Sequence, residues 1–169
     1  DPLEIEFGLA LLPIADPSQG VDLMDRIVMV RRQLASELGI VIPVVRVRDN
    51  FAGLGPNEYR INLRGVEIGS GEIYPDRLMA IEGTPSDDEL EGIPGKEPAF
   101  GLDVVWITKD QREEAETRGY TVIEASAVLA THLTEVLRQN AYLLLTREET
   151  HRLIELVKAE DASCVEEAL

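Results

Sequence analysis

Cysteine and histidine are scarce in this sequence of 169 residues, which contains one cysteine and two histidines. The single Cys164 cannot form an internal disulfide, and no basic residue beside it would activate its thiol. His132 and His151 fall in different predicted helices, and neither stands in a catalytic or zinc-binding motif. We therefore predict no disulfide, no zinc site and no nucleophilic triad, and we expect a reducing compartment. For both histidines we favour a position on a helix surface or between subdomains.

Positively charged residues are also few. The sequence has 16 Lys and Arg residues against 32 Asp and Glu residues, which gives a formal net charge of -16. Such a charge repels the phosphate backbone of nucleic acids and the surface of anionic lipids. We predict no nucleic-acid partner, and we interpret the acidity as a solvated surface.

Motifs that hold nucleotides or metal ions are missing as well. The segments GLG at 53–55 and GSG at 69–71 have neither the spacing of a dinucleotide-binding loop nor the lysine of a phosphate-binding loop, so we predict turns or bulges there. The acidic residues within 87–91 do not follow the spacing of a calcium loop, which favours a solvated loop. The sequence thus predicts a protein that is not an enzyme and binds no cofactor.

No apolar run approaches the roughly 18 to 20 residues that span a bilayer, and no signal peptide is recognisable. We therefore expect no membrane-spanning segment in this chain. The sequence begins with Asp1 instead of methionine, so we expect a piece of a longer protein, whose membrane segments would lie outside it.

The first 77 residues alternate between strand and helix patterns. LEIEFGLALLPI at 3–14 has strand character, and Asp22 to Leu38 repeats apolar residues at steps of three and four. Three further strands are predicted at 44–49, 59–63 and 66–73, the last two joined by a tight hairpin at Arg64-Gly65. This order of strand, helix and three strands leaves a sheet face that needs another helix.

That helix is delayed by a segment of different composition, residues 78–127, which is rich in proline, glycine and acidic residues. Within it we predict a strand at 103–107, a helix from Lys109 to Arg118 and a strand at 120–124, with a capping box formed by Thr108 and Gln111. The missing helix follows at 126–145. We predict an α/β (α+β) fold in which a small mixed-sheet subdomain is interrupted by an inserted α/β subdomain.

Phe100 lies between Pro98 and Gly101, where irregular backbone is expected. Two interpretations remain open from these residues alone. An aromatic side chain fixed in a loop can anchor a binding partner, or it can seal the edge of a small core.

Several phrases resemble the FHIPEP family, the export-gate proteins of flagellar and virulence-type III secretion. They are DLMDRIVMVRRQLASELGI, PNEYRINLRGVEIGSGE, EGIPGKEPAFGLDVVWI, GYTVIEASAVLATHLTEVLRQNAYLLL and TREET. The resemblance covers nearly the whole chain and keeps the order of the motifs. PNEYRI, EPAFGL and ATHL are similar to the flagellar members rather than the virulence members.

This resemblance implies a division of the chain into three parts. Residues 1–77 and 128–147 would form the first subdomain, 78–127 the inserted second subdomain, and 148–169 the beginning of a truncated helical third subdomain. Further capping boxes, Thr146 with Glu149 and Ser163 with Glu166, agree with helical structure towards the end of the chain.

The resemblance also implies a function. Family members form a nine-membered ring at the cytoplasmic face of the bacterial inner membrane, where they dock flagellar export chaperones loaded with late substrates and work with other components of the export apparatus. The alternative is a structural module for ring assembly in a virulence-type export gate.

The family's chaperone site is a hydrophobic dimple between the first two subdomains. The resemblance carries its central aromatic residue onto Phe100, its hydroxyl residue onto Thr131, its acidic residue onto Glu97 and its apolar wall onto Val128 and Ile123. Aspartate is more usual at the position of Glu97, so the longer side chain changes the expected contact.

Overall fold

The computed structural model describes residues 2–20, 22–84 and 88–144. The first four strands are β1 (Leu3–Phe7), β2 (Val45–Asp49), β3 (Glu58–Leu63) and β4 (Val66–Glu72). They form a mixed sheet in the order β2-β1-β3-β4, with β1 and β2 parallel and the other neighbours antiparallel. The predicted α/β (α+β) class is confirmed by this sheet, a second sheet and the helices packed against them.

A helix connects the two parallel strands, as a parallel pair requires a crossover. After the short α1 (Leu12–Ala15), α2 spans Leu23–Leu38 and buries one apolar side chain per turn. The predicted helix from Asp22 to Leu38 is confirmed, with Asp22 as its N-cap. Gly39 ends it with a φ of 70°, a left-handed conformation that glycine adopts without a Cβ penalty.

The predicted strand at 3–14 is correct only as far as Phe7. The chain then forms a 3-10 turn at Leu9–Leu11 and continues into α1. Gly8 causes the change of direction: its N–H donates to the carbonyl of Glu58 at 2.9 Å, and a Cβ built on it would lie 1.9 Å from the carbonyl oxygen of Gly55. Pro13 could not have continued the ladder, because it has no N–H to donate.

The hairpin between β3 and β4 forms as predicted. Arg64 and Gly65 both have positive φ, 51° and 79°, as in the type I′ turn that suits the twist of a two-stranded ribbon. Alternate residues of β3 are buried, as the sequence alternation predicts. The register between the strands shifts after Ile61, so the GSG segment lies beside a β-bulge, in agreement with the sequence prediction.

The residues of the predicted insert form a second sheet from the strands β5 (Leu78–Glu82), β6 (Ile93–Lys96), β7 (Asp103–Ile107) and β8 (Tyr120–Glu124). Their order is β6-β7-β5-β8, and all neighbours are antiparallel. The sequence predicted β7 and β8, but β5 and β6 were missed. The first half of β5 is buried on both faces, so its sequence shows no alternation of apolar and polar residues. β6 contains Pro94, which argues against a strand in the sequence but is tolerated here because β6 is an edge strand.

Between β7 and β8 the chain forms the predicted helical segment. It begins as a 3-10 turn, Lys109–Gln111, and continues as α3 (Arg112–Thr117). The predicted capping box is confirmed, since the N–H of Thr108 donates to the side-chain oxygen of Gln111 at 2.8 Å. Gly119 follows with a φ of 87°.

The two faces of the second sheet pack against different partners. Leu78, Ala80 and Ile107 form a small cluster with Ala115 of α3 and with Tyr120. The opposite face adds Met79, Val104 and Trp106 to the large core that also contains the buried side chains of the first sheet and α2. One apolar core therefore extends across both sheets. The division into subdomains at residue 77 stays a prediction, although each sheet is confined to one side of it.

The last described helix, α4 (Ala125–Gln139), completes the core against α2 and both sheets. The sequence predicted a helix at 126–145, but the α-helix ends earlier and a 3-10 turn follows at Ala141–Leu144. At this end the backbone N–H and the side-chain amide of Asn140 both donate to the carbonyl of Val136, at 3.0 Å and 2.7 Å. The predicted third subdomain, His151, Cys164 and the two later capping boxes lie outside the described residues.

Within the described ranges, no helix is both long and apolar enough to cross a membrane.

A buried carboxylate holds together the solvent side of the first sheet. Glu6 of β1 is almost inaccessible and contacts the guanidinium groups of Arg48 and Arg60, the latter at 3.3 Å. Burial disfavours the charge, but hydrogen bonds from Asn62 and Arg48 and the positive charges of both arginines outweigh it. The pKa of Glu6 therefore lies below its ordinary value, and the ion pairs tie three strands together.

We expect Glu6→Gln to lower the free energy of unfolding at pH 7 by about 1 to 2 kcal/mol, because it removes charged hydrogen bonds from a buried site. Since the folded pKa is lowered, this stabilisation is present above the unfolded pKa and is lost as the pH falls through the folded pKa. Urea unfolding at pH 7 and pH 3 measures the difference, which should shrink at pH 3. Glu4→Gln, on the neighbouring and more exposed carboxylate, is the control and should cost less.

Candidate functional site

The loop between β6 and β7 is closed by its own hydrogen bonds. The N–H of Glu97 donates to the carbonyl of Leu102 at 2.8 Å, and the N–H of Gly101 donates to the carbonyl of Glu97 at 2.8 Å. The carboxylate of Glu97 turns back into the loop and accepts from the N–H of Ala99 at 2.9 Å and of Phe100 at 2.6 Å. We call residues 97–102 the Phe100 loop.

Phe100 stands at the tip of this loop with 63% of its surface exposed, and Leu102 beside it is also exposed. Of the two interpretations left open by the sequence, a ring that seals the edge of the core does not agree with this exposure, whereas an exposed anchor does. The backbone on which Phe100 stands is fixed by the carboxylate of Glu97. A partner that buried this ring would therefore gain apolar contact without having to order the loop first.

Glu97 anchors the loop in a buried junction. Its side chain is only 4% exposed, and it lies close enough to two other buried groups, Tyr59 of β3 and His132 of α4, for its charge to affect their ionisation. The hydroxyl of Tyr59 lies 2.5 Å from Nδ1 of His132, and the two rings meet edge to face. The junction thus joins the first sheet, α4 and the Phe100 loop.

Both ionisable rings in this junction are kept neutral. Burial lowers the pKa of the His132 imidazole, and the negative charge of Glu97 offsets part of that effect. Burial and the same negative charge raise the pKa of the Tyr59 hydroxyl. At neutral pH the Tyr59–His132 contact is therefore a hydrogen bond between uncharged groups.

Glycines of β4 allow this junction to close. A Cβ built on Gly71 would lie 2.7 Å from the Tyr59 hydroxyl and 2.9 Å from Cβ of Pro98. At Gly69 it would lie 2.9 Å from a methyl group of Val136 and 3.1 Å from Nε2 of His132. Because Gly69 and Gly71 carry no side chain, α4 and the Phe100 loop can approach the edge of the first sheet.

The remaining predicted site residues lie on the elements around this junction. Thr131 is exposed on α4, next to His132. Val128 precedes Thr131 by almost one turn and is buried in the core. It can therefore pack beneath a binding site but exposes little surface to a partner. Ile123 is half-buried in β8 and packs on the same core. Phe100 and Glu97 thus lie in one loop, whereas Thr131 and Val128 lie on α4. That Phe100 and Thr131 line a single groove stays a prediction.

A cleft of about 530 Å³ opens on the same loop, between the edge strands β4 and β6. Its lining includes Glu58, Tyr59, Glu72, Tyr74, Lys96, Glu97 and Pro98. Carboxylates outnumber the single lysine among these side chains, so the cleft is acidic as well as partly aromatic. Within the described ranges, no group of three or more His, Cys, Asp or Glu side chains is arranged to hold a metal ion.

Sequence reasoning did not find the Tyr59–His132 pair. The alternation of β3 placed Tyr59 on the inward face, and His132 was assigned to a helix surface or to a position between subdomains. The structure buries His132, at 5% exposure, between α4 and the first sheet. The available signal was its position next to Thr131 in ATHL, but no local pattern relates residues 73 positions apart.

Comparison with known proteins gives a consistent result. The FHIPEP family model matches residues 1–169. The flagellar biosynthesis protein FlhA of Bacillus subtilis is 52% identical over 167 residues, and the match covers 99% of this chain and 24% of that protein. FlhA of Borreliella burgdorferi is 41% identical over 169 residues, with 100% of this chain and 24% of that protein covered. The chain spans about a quarter of the length of these relatives.

Solved structures share the fold. The CdsV protein of Chlamydia pneumoniae superposes with a TM-score of 0.74 at 24% identity, covering 99% of this chain and 50% of that one. A complex of CdsV and CdsO from the same organism gives 0.71 at 25% identity, covering 99% and 52%. The nonameric cytosolic domain of EscV from a type III secretion system gives 0.55 at 18% identity, covering 99% and 47%.

Proposed function

The chain belongs to the FHIPEP family, and from this membership we propose that it is part of a flagellar type III export gate. Within that gate, it is a docking platform for export chaperones that carry late flagellar substrates. The Phe100 loop is the centre of the docking site, with Glu97, Thr131, Val128 and Ile123 around it. The proposal assigns no catalysis, no cofactor and no nucleic-acid partner to the chain.

The exposed position of Phe100 on a loop fixed by hydrogen bonds is the observation that supports docking. Large aromatic side chains supply much of the free energy of protein–protein binding when a partner buries them. A loop that is already ordered loses little conformational entropy on binding. The exposed Leu102 enlarges the apolar surface, and the buried Glu97 below it keeps the ring directed outwards.

Sequence identity favours a flagellar gate over a virulence-type gate. The relatives at 52% and 41% identity are flagellar biosynthesis proteins, whereas the superposed virulence-type structures share only 17 to 25% of their residues. Two of those structures are described as nonameric, and another contains CdsO. We extend the proposal to a nine-membered ring at the cytoplasmic face of the inner membrane, in contact with other export components.

An amide footprint tests the docking site directly. When a flagellar chaperone–substrate complex is added to the ¹⁵N-labelled chain, we expect the amide signals of the Phe100 loop and of α4 around Thr131 to shift or broaden. The signals of the hairpin at Arg64 and Gly65 should stay unchanged and serve as an internal control. Changes confined to other surfaces, or ring formation without any chaperone binding, would instead favour the role in assembly alone.

A further inference from the structure

We propose that the open edge of β4 binds an extended, positively charged segment of a protein partner, which adds to the first sheet as a further antiparallel strand. The segment lies in the cleft of about 530 Å³ between β4 and β6, where Glu58 and Glu72 receive its basic side chains. In this mode of binding, backbone hydrogen bonds supply affinity and the side chains supply specificity. The surface is separate from the docking site at Phe100 and does not rest on the proposed function.

The backbone of β4 has groups that face the cleft. β4 is the last strand of the first sheet on this side, and the N–H of Ile73, just after it, donates to the carbonyl of Asn57 at 3.0 Å. Because hydrogen-bonded and non-hydrogen-bonded pairs alternate in an antiparallel ladder, Gly71 bonds to β3, whereas Ser70 and Glu72 direct their N–H and C=O groups away from it. All three residues line the cleft, so these groups are available to a further strand.

The facing strand, β6, is protected against such an addition. The N–H of Glu97 donates to the carbonyl of Leu102, and the alternation that follows directs the backbone of Pro94 and Lys96 outwards. Proline has no N–H to donate, and both proline and lysine commonly block the edges of sheets. β4 contains neither residue type. The added strand therefore pairs with β4, and β6 forms the opposite wall of the cleft.

A pair of like charges at this edge favours a cationic partner. Glu58 and Glu72 are directly opposite each other in β3 and β4, an arrangement that destabilises a sheet. Both are exposed, and in the part of the chain that the structure describes neither has a lysine or arginine partner. Arg60, two residues after Glu58, pairs with other carboxylates, and Lys96 across the cleft pairs with Asp103. A basic side chain from a partner would relieve the repulsion.

Strand geometry specifies which sequence fits. Residues of the added strand that lie opposite Ser70 and Glu72 place their side chains on the same face as Glu58, so lysine or arginine suits both positions. The residue between them lies opposite Gly71 and points to the other face. Pro98 leaves little room there, since a Cβ built on Gly71 would lie 2.9 Å from Cβ of Pro98. We therefore expect the pattern basic, small, basic.

A set of synthetic peptides tests this strand addition on the wild-type chain. The first, Thr-Val-Lys-Ala-Lys-Val-Thr with blocked ends, has the expected pattern. The second carries N-methyl groups on both lysines, which removes the two N–H groups that donate to β4, so binding should weaken about tenfold. The third carries N-methyl groups on the alanine and the second valine, whose N–H groups point away from β4. It is the matched control and should bind like the first peptide.

Nuclear magnetic resonance of the ¹⁵N-labelled chain locates the bound peptide. We expect the amide signals of Ser70, Gly71 and Glu72 to shift when the first peptide is added. The N–H groups of Ser70 and Glu72 should also exchange with solvent more slowly, because they become donors to the added strand. Slower exchange distinguishes a paired strand from a peptide that only rests on the acidic surface.

The double variant Glu58→Gln, Glu72→Gln tests the role of charge. We expect it to weaken the first peptide about fivefold and to reduce the salt dependence of binding. Its free energy of unfolding should not fall, because the substitution removes a like-charged pair. The control is Glu89→Gln, Glu113→Gln, which changes the net charge equally at exposed positions outside the cleft and should bind like the wild type.

Three results would overturn the proposal. The first is no binding of the unmodified peptide, or equal binding of the peptide that is methylated on both lysines. The second is a set of amide shifts that excludes β4. The third is unchanged affinity in the double variant of Glu58 and Glu72. Because the methylated peptides are used with the wild-type chain, the decision does not depend on whether a variant folds.

Phe100→Ala separates this surface from the docking site. Phe100 is outside the cleft lining, so this variant should bind the first peptide like the wild type. If Phe100→Ala leaves binding of a chaperone–substrate complex unchanged, the docking proposal fails and the peptide result stands. If the peptide does not bind, strand addition fails and docking at Phe100 is unaffected.

Discussion

We expect Phe100→Ala to weaken binding of a flagellar chaperone–substrate complex by about 30-fold, which corresponds to the roughly 2 kcal/mol lost at an aromatic hot spot. The ring is 63% exposed in the free chain, so its removal leaves no cavity in the core. The free energy of unfolding should therefore change by less than about 0.5 kcal/mol, as is usual for surface substitutions. Loss of binding with unchanged stability is the pattern that identifies a contact residue.

Isothermal titration calorimetry measures the affinity, and urea unfolding measures the stability of the same samples. The chain provides a matched control in Phe51, another exposed phenylalanine, which lies in the turn after β2 with 47% of its surface exposed. Phe51→Ala removes the same side chain from a different loop and should bind like the wild type. Equal affinities for all three proteins, with the fold intact, would remove Phe100 from the docking site.

A second large effect is expected at the side chain that links the two sheets. Trp106 of β7 is 1% exposed, belongs to the large core and meets the ring of Tyr74 at a centroid distance of 5.5 Å. Because Tyr74 follows β4, this contact joins the first sheet to the second. We expect Trp106→Ala to lower the free energy of unfolding by about 4 kcal/mol, through lost burial and the cavity that remains.

Circular dichroism in urea measures this loss, since Trp106 is the chain's single tryptophan and fluorescence would be lost with it. Val105→Ala is the control, because its side chain is on the opposite face of β7 and is only partly buried, so a smaller loss of about 1 kcal/mol is expected. A loss below about 1 kcal/mol in Trp106→Ala would contradict a shared core. So would separate unfolding transitions for the two sheets in the wild type.

Elements with local signals could be predicted from the sequence. The repeat of α2, the alternation of β3 and the turn at Arg64-Gly65 each depend on residues close together in the chain. The first half of β5 has no such signal, because it is buried from both sides by packing that only the folded chain provides. The strand predicted beyond Phe7 failed for a related reason, since the backbone of residues 55–58 determines where β1 ends.

The candidate site likewise has one part with a local sequence signal and one part without. Pro98 and Gly101 indicated irregular backbone around Phe100, and the family resemblance indicated the residues near it. The buried contact between Tyr59 and His132 has no sequence pattern, because β4 and all the strands of the second sheet separate β3 from α4 in the chain. Long-range packing, and not local propensity, determines which polar groups share a buried junction.

The late arrival of α4 has a consequence for biosynthesis. Side chains of β1, near the start of the chain, share a core with Leu133 and Leu137, and Asp22 contacts Ser126 while Arg138 pairs with Glu37. Contacts between residues so distant in sequence slow folding, because the first elements cannot complete their packing until the later ones are present. During translation, α2 can cover part of the apolar face of the first sheet early, but the part that packs against α4 stays uncovered until α4 has left the ribosome tunnel. The nascent chain is therefore a candidate for chaperone assistance of its own, before it has any docking surface to offer.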